Sequence, residues 1–527
     1  MYFKKNYLLI LFYIFVILLF TKIDYRLIEE FVCCQDDHDY YSHAETIAID
    51  FDLNYSNQFN GFEKERYYQN GVVAPKGFIG SGLLASPFLY IGNIFEKNID
   101  NSNIFNFKIL FYSLSAIFYF FMSILLTNTS LRLLNIKINL HFIFLLFVGS
   151  GVSYYAFERY SMTHVYEVFT ISLLIFIITK FYTAKDTSNY FSFLVPIATF
   201  LAISVRWVNY HVFFIPFLIR FLFKDQIQKN NHLMKNKYFY LSYVLSAGAF
   251  LLLNKSIYSI YTFNPTLVYG SSRRLNSFFN VDFIGLFSKI LISVQKILFS
   301  EEFGIFWFSP IIFAGLLILF FLLCTSGKSK LLGYAVLLFV YGIPFGSVII
   351  WQSTASSYGY RYLFSLLPIS ILIFGKWKVD GGKKLINYYL LCFSIFSSLS
   401  ILFFETTPGT SLSQNINSFN TNQRFSQPDY LSNYILSYFE VNPYLIIFTT
   451  SFLGVLLFKM ILTYLEVEEL NNILENFNLP VNNPDYINYI DKIDSISFSK
   501  ILFFTILLTS IVLHFISQDS KMNKKSN

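Results

Sequence analysis

The sequence is poor in charged residues. Only 13% of its 527 residues are Asp, Glu, Lys or Arg, 55% are hydrophobic, and the mean hydropathy is +0.51. Soluble domains carry about 25% charged residues, and single buried cores stop growing near roughly 250–300 residues. So little charge on so long a chain leaves too little polar surface for a water-soluble globule. The composition therefore excludes an ordinary soluble protein and predicts lipid as the solvent.

Cysteine is also scarce. The four cysteines show neither metal-ligand spacing nor a disulfide framework. Two of them, Cys324 and Cys392, lie in apolar runs, where cysteine behaves as a small hydrophobic residue. The net charge of +7 comes mainly from lysines in short loops. It therefore indicates membrane topology and gives no reason to expect a nucleic-acid partner.

Long apolar runs define the fold class. A spanning helix needs roughly 20 mostly apolar residues, and the first run, 7–23, follows two lysines and has no small-residue cleavage site after it. We expect a retained helix there, with a cytoplasmic N-terminus. Further spans are predicted at 107–127, 138–157, 164–181, 190–205, 207–223, 238–256, 302–325, 331–350, 362–376, 385–404, 443–463 and 500–517. The prediction is an all-α integral membrane protein of about thirteen transmembrane helices.

Short basic connections predict the orientation. Arg132 with Lys137, the run 224–237, Lys328 with Lys330, and the run 376–384 all fall on the cytoplasmic side of this topology. The loops 24–106, 257–301 and 405–442 then lie outside. Within the first of them, 77–95 is less polar and contains Gly and Pro, which favours an interfacial helix. An odd helix count puts the basic C-terminal tail outside, against the same rule.

The densest ionisable cluster is the run 35–45 in the first outer loop. If the chain is helical there, Asp37, Tyr40, Tyr41 and Ala44 share a face. Asp36 then lies near the start of the helix, where a carboxylate is stabilised. Such a carboxylate beside the bilayer can accept a proton from a hydroxyl group or hold a divalent cation. The alternative is a solvated loop with an aspartate cap.

Isolated cations between apolar runs suggest an anionic partner. Arg206 is costly there unless it is paired or hydrated, although it could instead reach the lipid head groups. Arg361 is predicted at a helix start, where the helix dipole disfavours positive charge, and arginine binds phosphate oxygens with two donors. His164 can bind phosphate, a metal or an acceptor, or can cap its helix. Lys76 is a further candidate for the phosphate.

Three aromatic residues and one acid complete the candidate site. Tyr40, Tyr41 and Trp351 could stack on sugar rings, although aromatic belts at the membrane interface explain them equally well. Glu167 lies one turn after His164 and could contact the substrate. These residues are the predicted substrate contacts.

Five segments in order along the chain carry a family resemblance. They are Asp36-Asp37-His38-Asp39-Tyr40, the Gly-rich and Pro-Phe-terminated run 76–88, Arg206-Trp207-Val208-Asn209, the run 303–310, and Trp351 with 357–362. Together they resemble motifs of the GT-C superfamily of membrane glycosyltransferases, which includes protein O-mannosyltransferases and aminoarabinose lipid A transferases. The likeness covers 1–375, the expected catalytic core. Residues 376–527 form the expected C-terminal transmembrane region, with the outer loop 405–442.

The resemblance implies a GT-C-like helical bundle that transfers a sugar, with inversion, from a polyprenyl-phosphate donor to a glycan, lipid or protein acceptor. It implies an outer-loop carboxylate, Asp36, as base or acceptor-orienting group, with Asp37 or Asp39 in support. Relatives often place a second acid where His164 and Glu167 stand, so the need for a divalent cation stays open. The expected location is a bacterial inner membrane, with the site on the periplasmic side.

Three rival functions stay open. A lipid or glycan transporter or flippase would need ionisable residues near the bilayer midplane, and the chain shows no internal repeat. An O-antigen-type polymerase or ligase would place its important residues in a late loop such as 405–442. A non-catalytic relative would act as an assembly partner.

Overall fold

The computed structural model describes most of the chain between residues 35 and 403. The gaps are 60–66, 99–106, 158, 185–187, 225, 228–232, 270–282, 301–303, 326–327, 352–358 and 383, and two single positions, 469 and 472, are also described. The predicted helices at 7–23, 443–463 and 500–517 and the predicted loop 405–442 lie outside the described residues. So does most of the expected C-terminal region.

The described residues are mostly helical. The one two-stranded sheet among them is a short antiparallel hairpin, β1 (Tyr68–Gln69) and β2 (Val72–Val73). The helices are α1 (Gln35–Glu45), α2 (Gly80–Asn98), α3 (Phe107–Leu133), α4 (Leu140–Val148), α5 (Val152–Phe157), α6 (His164–Thr183), α7 (Ser188–Val205), α8 (Trp207–Leu222), α9 (Lys237–Tyr258), α10 (Pro265–Tyr269), α11 (Phe283–Phe299), α12 (Ile305–Phe308), α13 (Pro310–Thr325), α14 (Lys328–Trp351), α15 (Arg361–Val379) and α16 (Lys384–Phe403).

Three of these helices are long and apolar enough to cross a membrane: α3, α6 and α15. Four shorter apolar helical stretches, of 10–17 residues, lie in α7, α8, α13 and α14. Length and composition thus indicate a helical membrane protein. The finer prediction of a thirteen-helix bundle stays a prediction.

Three predicted elements differ from the structure. The predicted span 138–157 is two helices, α4 and α5, because the chain turns at Gly149–Gly151. Gly151 has a φ of +88°, which favours glycine, and the Ser150 carbonyl accepts a hydrogen bond from Ser309 Oγ at 2.7 Å. The second difference is in the loop 257–301, where no helix was predicted and the structure shows α10 and α11. The third is the predicted span 302–325, which the structure divides at Ser309 into α12 and α13.

The helices run back and forth between two ends of the bundle. At one end, α6, α8 and α15 begin and α7 and α14 finish. At the other end, Asn236 donates to Asn189 at 2.8 Å, and the Phe221 and Tyr334 rings are 5.0 Å apart. The described residues of the four basic connections lie at this second end, because the helices that flank those connections end or begin there. The acidic helix α1 packs at the first end, where its Asp37 pairs with Arg159.

Candidate functional site

The site lies where α6, α8 and α15 begin, beside α1. Its members come from distant parts of the sequence, and the apolar helices behind them exclude water. Helix starts leave backbone N–H groups unpaired and carry partial positive charge, so such an end attracts anions. Three ion pairs, each between one arginine and one acid, organise the cluster.

The first pair joins Asp37 to Arg159. Arg159 Nη2 donates to Asp37 Oδ2 at 3.0 Å, and Ser161 Oγ donates to Asp37 Oδ1. The Asp37 side chain is 1% exposed and that of Arg159 is 13% exposed. Asp37 thus fixes α1 to the segment that precedes α6. Its position suits a structural support better than a group that meets substrate.

The second pair is fully buried and includes a histidine. Arg206 lies 3.6 Å from Glu167 Oε2 and 2.7 Å from His164 Nδ1. A guanidinium has only donors, so His164 Nδ1 must accept, and its own proton is then on Nε2. The 3.4 Å approach of Glu167 Oε2 to the same Nδ1 is therefore a contact without a donated hydrogen bond.

Glu167 is incompletely satisfied. Its other oxygen, Oε1, is buried and has no hydrogen-bond partner within the part of the chain that the structure describes. The guanidinium of Arg206 also lies over the Tyr362 ring, 4.0 Å from the centroid. A cation in this position is stabilised by the ring as well as by the acid. Arg206 is thus held rigidly, with its charge close to the start of α15.

The third pair is the open one. Arg361 Nη2 lies 3.7 Å from Asp36 Oδ2, and the Asp36 side chain is 52% exposed while that of Arg361 is 14% exposed. Among the described residues, the buried Nε of Arg361 has no hydrogen-bond partner. The Tyr362 ring lies 5.8 Å from this guanidinium, so one ring stands near both Arg206 and Arg361. Asp36 is the carboxylate that a molecule arriving from solvent can reach.

Two tyrosine rings enclose the backbone at Gly77. A Cβ there would lie 3.2 Å from Tyr40 Cε1 and 3.4 Å from Tyr269 Cε1, and the φ of +120° already favours glycine. Burial raises the pKa of Tyr40 well above its usual value, so the phenol stays protonated. Tyr269 accepts from the Phe78 N–H at 3.4 Å.

Tyr269 and Tyr362 were missed in the sequence. Burial raises the pKa of Tyr269, and the nearby charge of Arg206 opposes that rise without cancelling it. Tyr362 carried a signal, because it adjoins Arg361 in one of the five segments that resemble GT-C motifs. Tyr269 carried none beyond its place in an outer loop.

The other predicted site residues have the following surroundings. Asp39 is 2% exposed and acts electrostatically on Tyr258. Tyr41 packs edge-on against Tyr112 at 5.2 Å, and Trp351 packs edge-on against Trp207 at 5.9 Å. Lys76 is half-buried in the bend before α2, and no ion pair of its ammonium occurs among the described residues. Their predicted roles stay predictions.

No group of three or more His, Cys, Asp and Glu side chains suited to a metal ion occurs within the described residues. The described cysteines, Cys324 and Cys392, are free and exposed. The side chains that gather here are carboxylates, guanidinium groups, an imidazole and phenols. Chemically, this set can bind an oxyanion and accept a proton from a neighbouring hydroxyl group.

No protein-family model matches the chain, and no curated protein matches its sequence. The likeness to GT-C enzymes therefore depends on the motif residues themselves. Three of those motifs, which contain Asp36, Arg206 and Arg361, supply members of the cluster described above.

Proposed function

We propose that the protein is a membrane glycosyltransferase of GT-C type. It transfers a sugar from a polyprenyl-phosphate donor to a glycan, lipid or protein acceptor on the outer face of the membrane. The observation that carries this proposal is the Asp36–Arg361 pair. A half-exposed carboxylate and a buried guanidinium meet at the open side of the cluster.

The environment of Arg361 favours an anionic ligand. At 3.7 Å the contact with Asp36 is longer than a charge-assisted hydrogen bond, which is about 2.7–2.9 Å. Its Nε, which has no hydrogen-bond partner among the residues that the structure describes, offers a second donor on the same planar group. A lipid phosphate could occupy both donors, and the neighbouring positive charge of Arg206 would strengthen its binding. Glu167 and His164 hold Arg206 in place.

The reaction would proceed by a single displacement. The acceptor hydroxyl oxygen forms a bond to the anomeric carbon, the bond from that carbon to the phosphate oxygen breaks, and the hydroxyl proton passes to Asp36. The lipid phosphate leaves with the bonding electron pair. Attack on the face opposite the phosphate inverts the anomeric centre.

Donor binding would separate the Asp36–Arg361 pair. Reacting atoms need to be about 3–3.5 Å apart, so a sugar placed between base and phosphate requires more space than the 3.7 Å contact leaves. Asp36 can move because half of its side chain is in solvent. Arg361 is mostly buried, with 14% of its side chain exposed, and would stay in place.

The charge distribution supports the membrane orientation. Basic loops favour the cytoplasm, and the four basic connections lie at the end of the bundle opposite α1. The Asp36 end would then face outward. We propose that the whole chain forms a GT-C-like bundle of about thirteen helices in a bacterial inner membrane, with the site on the periplasmic side.

Replacement of Asp36 tests the base. In purified, reconstituted protein supplied with polyprenyl-phosphate sugars, Asp36→Asn should lower turnover by at least about 10²-fold, the scale of base removal. Asp52→Asn is the matched control, because Asp52 is an exposed carboxyl of the same loop that caps the Asn54 N–H at 3.0 Å. Equal turnover in Asp36→Asn and wild type would reject this role.

Replacement of Arg361 tests donor binding. Arg361→Gln should raise the donor concentration needed for half-maximal rate by about tenfold or more, since one charge-assisted bond is worth roughly 1.5–3 kcal/mol. Arg220→Gln is the control, because Arg220 lies near the opposite end of the bundle, beside Tyr182. An unchanged donor dependence in Arg361→Gln would contradict phosphate binding at this residue.

A further inference from the structure

Helix α11 (Phe283–Phe299) is an amphipathic element outside the candidate site. Its C-terminal end is attached to the start of α13. Trp307 Nε1 donates to the Phe299 carbonyl at 3.4 Å, and the Phe299 ring lies 5.7 Å from that of Phe313. Helix α13 runs beside α15 in the same direction, with Gly315 next to Ser370 and the Phe321 ring 5.2 Å from that of Trp377. It therefore begins at the end of the bundle where α15 begins, and α11 lies at the same end as the candidate site.

Three sides of α11 differ in character, and a fourth, mixed flank carries Ser288 and Ile292, which is 51% exposed. One side faces protein, where Ser293 is 7% exposed and Ile297 is 1% exposed. A second side is apolar and uncovered within the part of the chain that is described: Ile284 is 77%, Phe287 62% and Leu291 59% exposed. We define these three residues as the apolar stripe of α11.

The third side carries two lysines. Lys289 and Lys296 are exposed and seven residues apart, so they lie on one line along the helix. At 3.6 residues per turn, that line is about 160° around the helix from the apolar stripe. Going around the helix in one direction, the protein-facing side lies between the line of lysines and the apolar stripe. This order of sides matches a helix that lies flat on a bilayer and leans against a protein.

We propose that α11 lies along the outer membrane surface. Its apolar stripe would enter the boundary between head groups and acyl chains, and its lysines would face head groups and water. Amphipathic helices of this composition bind membranes in that way. A spanning arrangement fits less well, because 17 residues extend about 25 Å, short of a roughly 30 Å hydrocarbon core, and would bring Lys289 into it. The occupant of the stripe is therefore lipid.

Fluorescence quenching in lipid nanodiscs tests this arrangement. The full chain, with its four cysteines replaced by serine or alanine, receives one cysteine at a time for labelling with an environment-sensitive dye. Phe287→Cys and Leu291→Cys report on the stripe, and Ile284→Cys repeats the test if either fails to fold. Lys289→Cys and Lys296→Cys are the matched controls on the opposite side. The quenchers are lipid nitroxides at shallow and deep positions and aqueous iodide.

We expect shallow nitroxides to quench the stripe positions at least about twofold more than deep nitroxides do. We expect iodide to quench the lysine positions. Strong quenching of both sides by deep nitroxides would show a spanning helix and overturn the proposal. Stripe positions protected from every quencher would show a covering protein segment, and stripe positions open to iodide would show a water-facing helix. Either result would also overturn it.

Discussion

Asp36 and Asp37 are neighbours in the sequence, but substitution of Asp37 should reduce mainly stability and substitution of Asp36 mainly turnover. Asp37 is 1% exposed and neutralises Arg159, which is itself mostly buried. In Asp37→Asn the Arg159 guanidinium loses the negative charge of Asp37, and removal of one partner of a buried pair typically costs about 3–5 kcal/mol. Asparagine can still accept from Ser161, so we expect the lower end, about 3 kcal/mol.

Asp36→Asn should cost far less stability. Its side chain is 52% exposed and 3.7 Å from Arg361, and exposed ion pairs contribute about 0–1 kcal/mol. We therefore expect a loss of at most about 1 kcal/mol together with the large loss of turnover proposed above. The two variants are isosteric and adjacent, so each is the control for the other.

The assay is denaturant unfolding of both variants in the same detergent, with turnover measured in parallel. The expected pattern is a marked fall in the unfolding midpoint for Asp37→Asn only, and a turnover per folded molecule that falls most in Asp36→Asn. Equal destabilisation by the two variants would refute the distinction between a structural and a reactive carboxylate. So would an Asp37→Asn variant as stable as wild type.

Two further predictions concern buried groups. Glu167→Gln should lower the free energy of unfolding by about 3 kcal/mol, because it removes the negative charge beside Arg206. The double variant Glu167→Leu with Arg206→Met should recover most of that loss. If it recovers none, the ion pair is not the cause of the loss. Burial lowers the pKa of His43 from 6.5 to about 4. Between pH 6.5 and 4, His43 is therefore protonated in the unfolded chain and neutral in the folded one. Stability should therefore be full above pH 6.5 and fall by about 3 kcal/mol as the pH drops toward 4. The check is urea unfolding of wild type and His43→Gln at pH 7, 5.5 and 4. If the free energy of unfolding falls equally with pH in the two proteins, the prediction is contradicted.

The sequence predicted much of the helical framework because apolar runs are a local signal. The helices that include 107–127, 164–181 and 190–205 are all present, and a chain reversal at Arg206 was also expected. Arg206 is extended, with a φ of −162° and a ψ of 140°, and separates α7 from α8. Of the four residues expected to share a face of α1, Asp37, Tyr40 and Ala44 are buried and Tyr41 is half-buried. Burial extends beyond that face, because Asp39, Ser42 and His43 are buried as well.

The pairing of charges could not be predicted in the same way. Asp37 and Arg159 are 122 residues apart in sequence, and no local pattern indicates which aspartate of 36, 37 and 39 faces which arginine. The division of roles depends on how α1 is rotated against α2 and α6, which only packing decides. Helix α11 was missed because two lysines interrupt its apolar residues and shorten the run below the length of a span.

The most direct test of the proposed function is product analysis after reaction of the purified protein with a polyprenyl-phosphate sugar and candidate acceptors. The account predicts one free polyprenyl phosphate for each glycoside formed, inverted anomeric configuration by NMR, and loss of both products in Asp36→Asn. Transfer with retained configuration, or transfer that continues undiminished in Asp36→Asn, would contradict it.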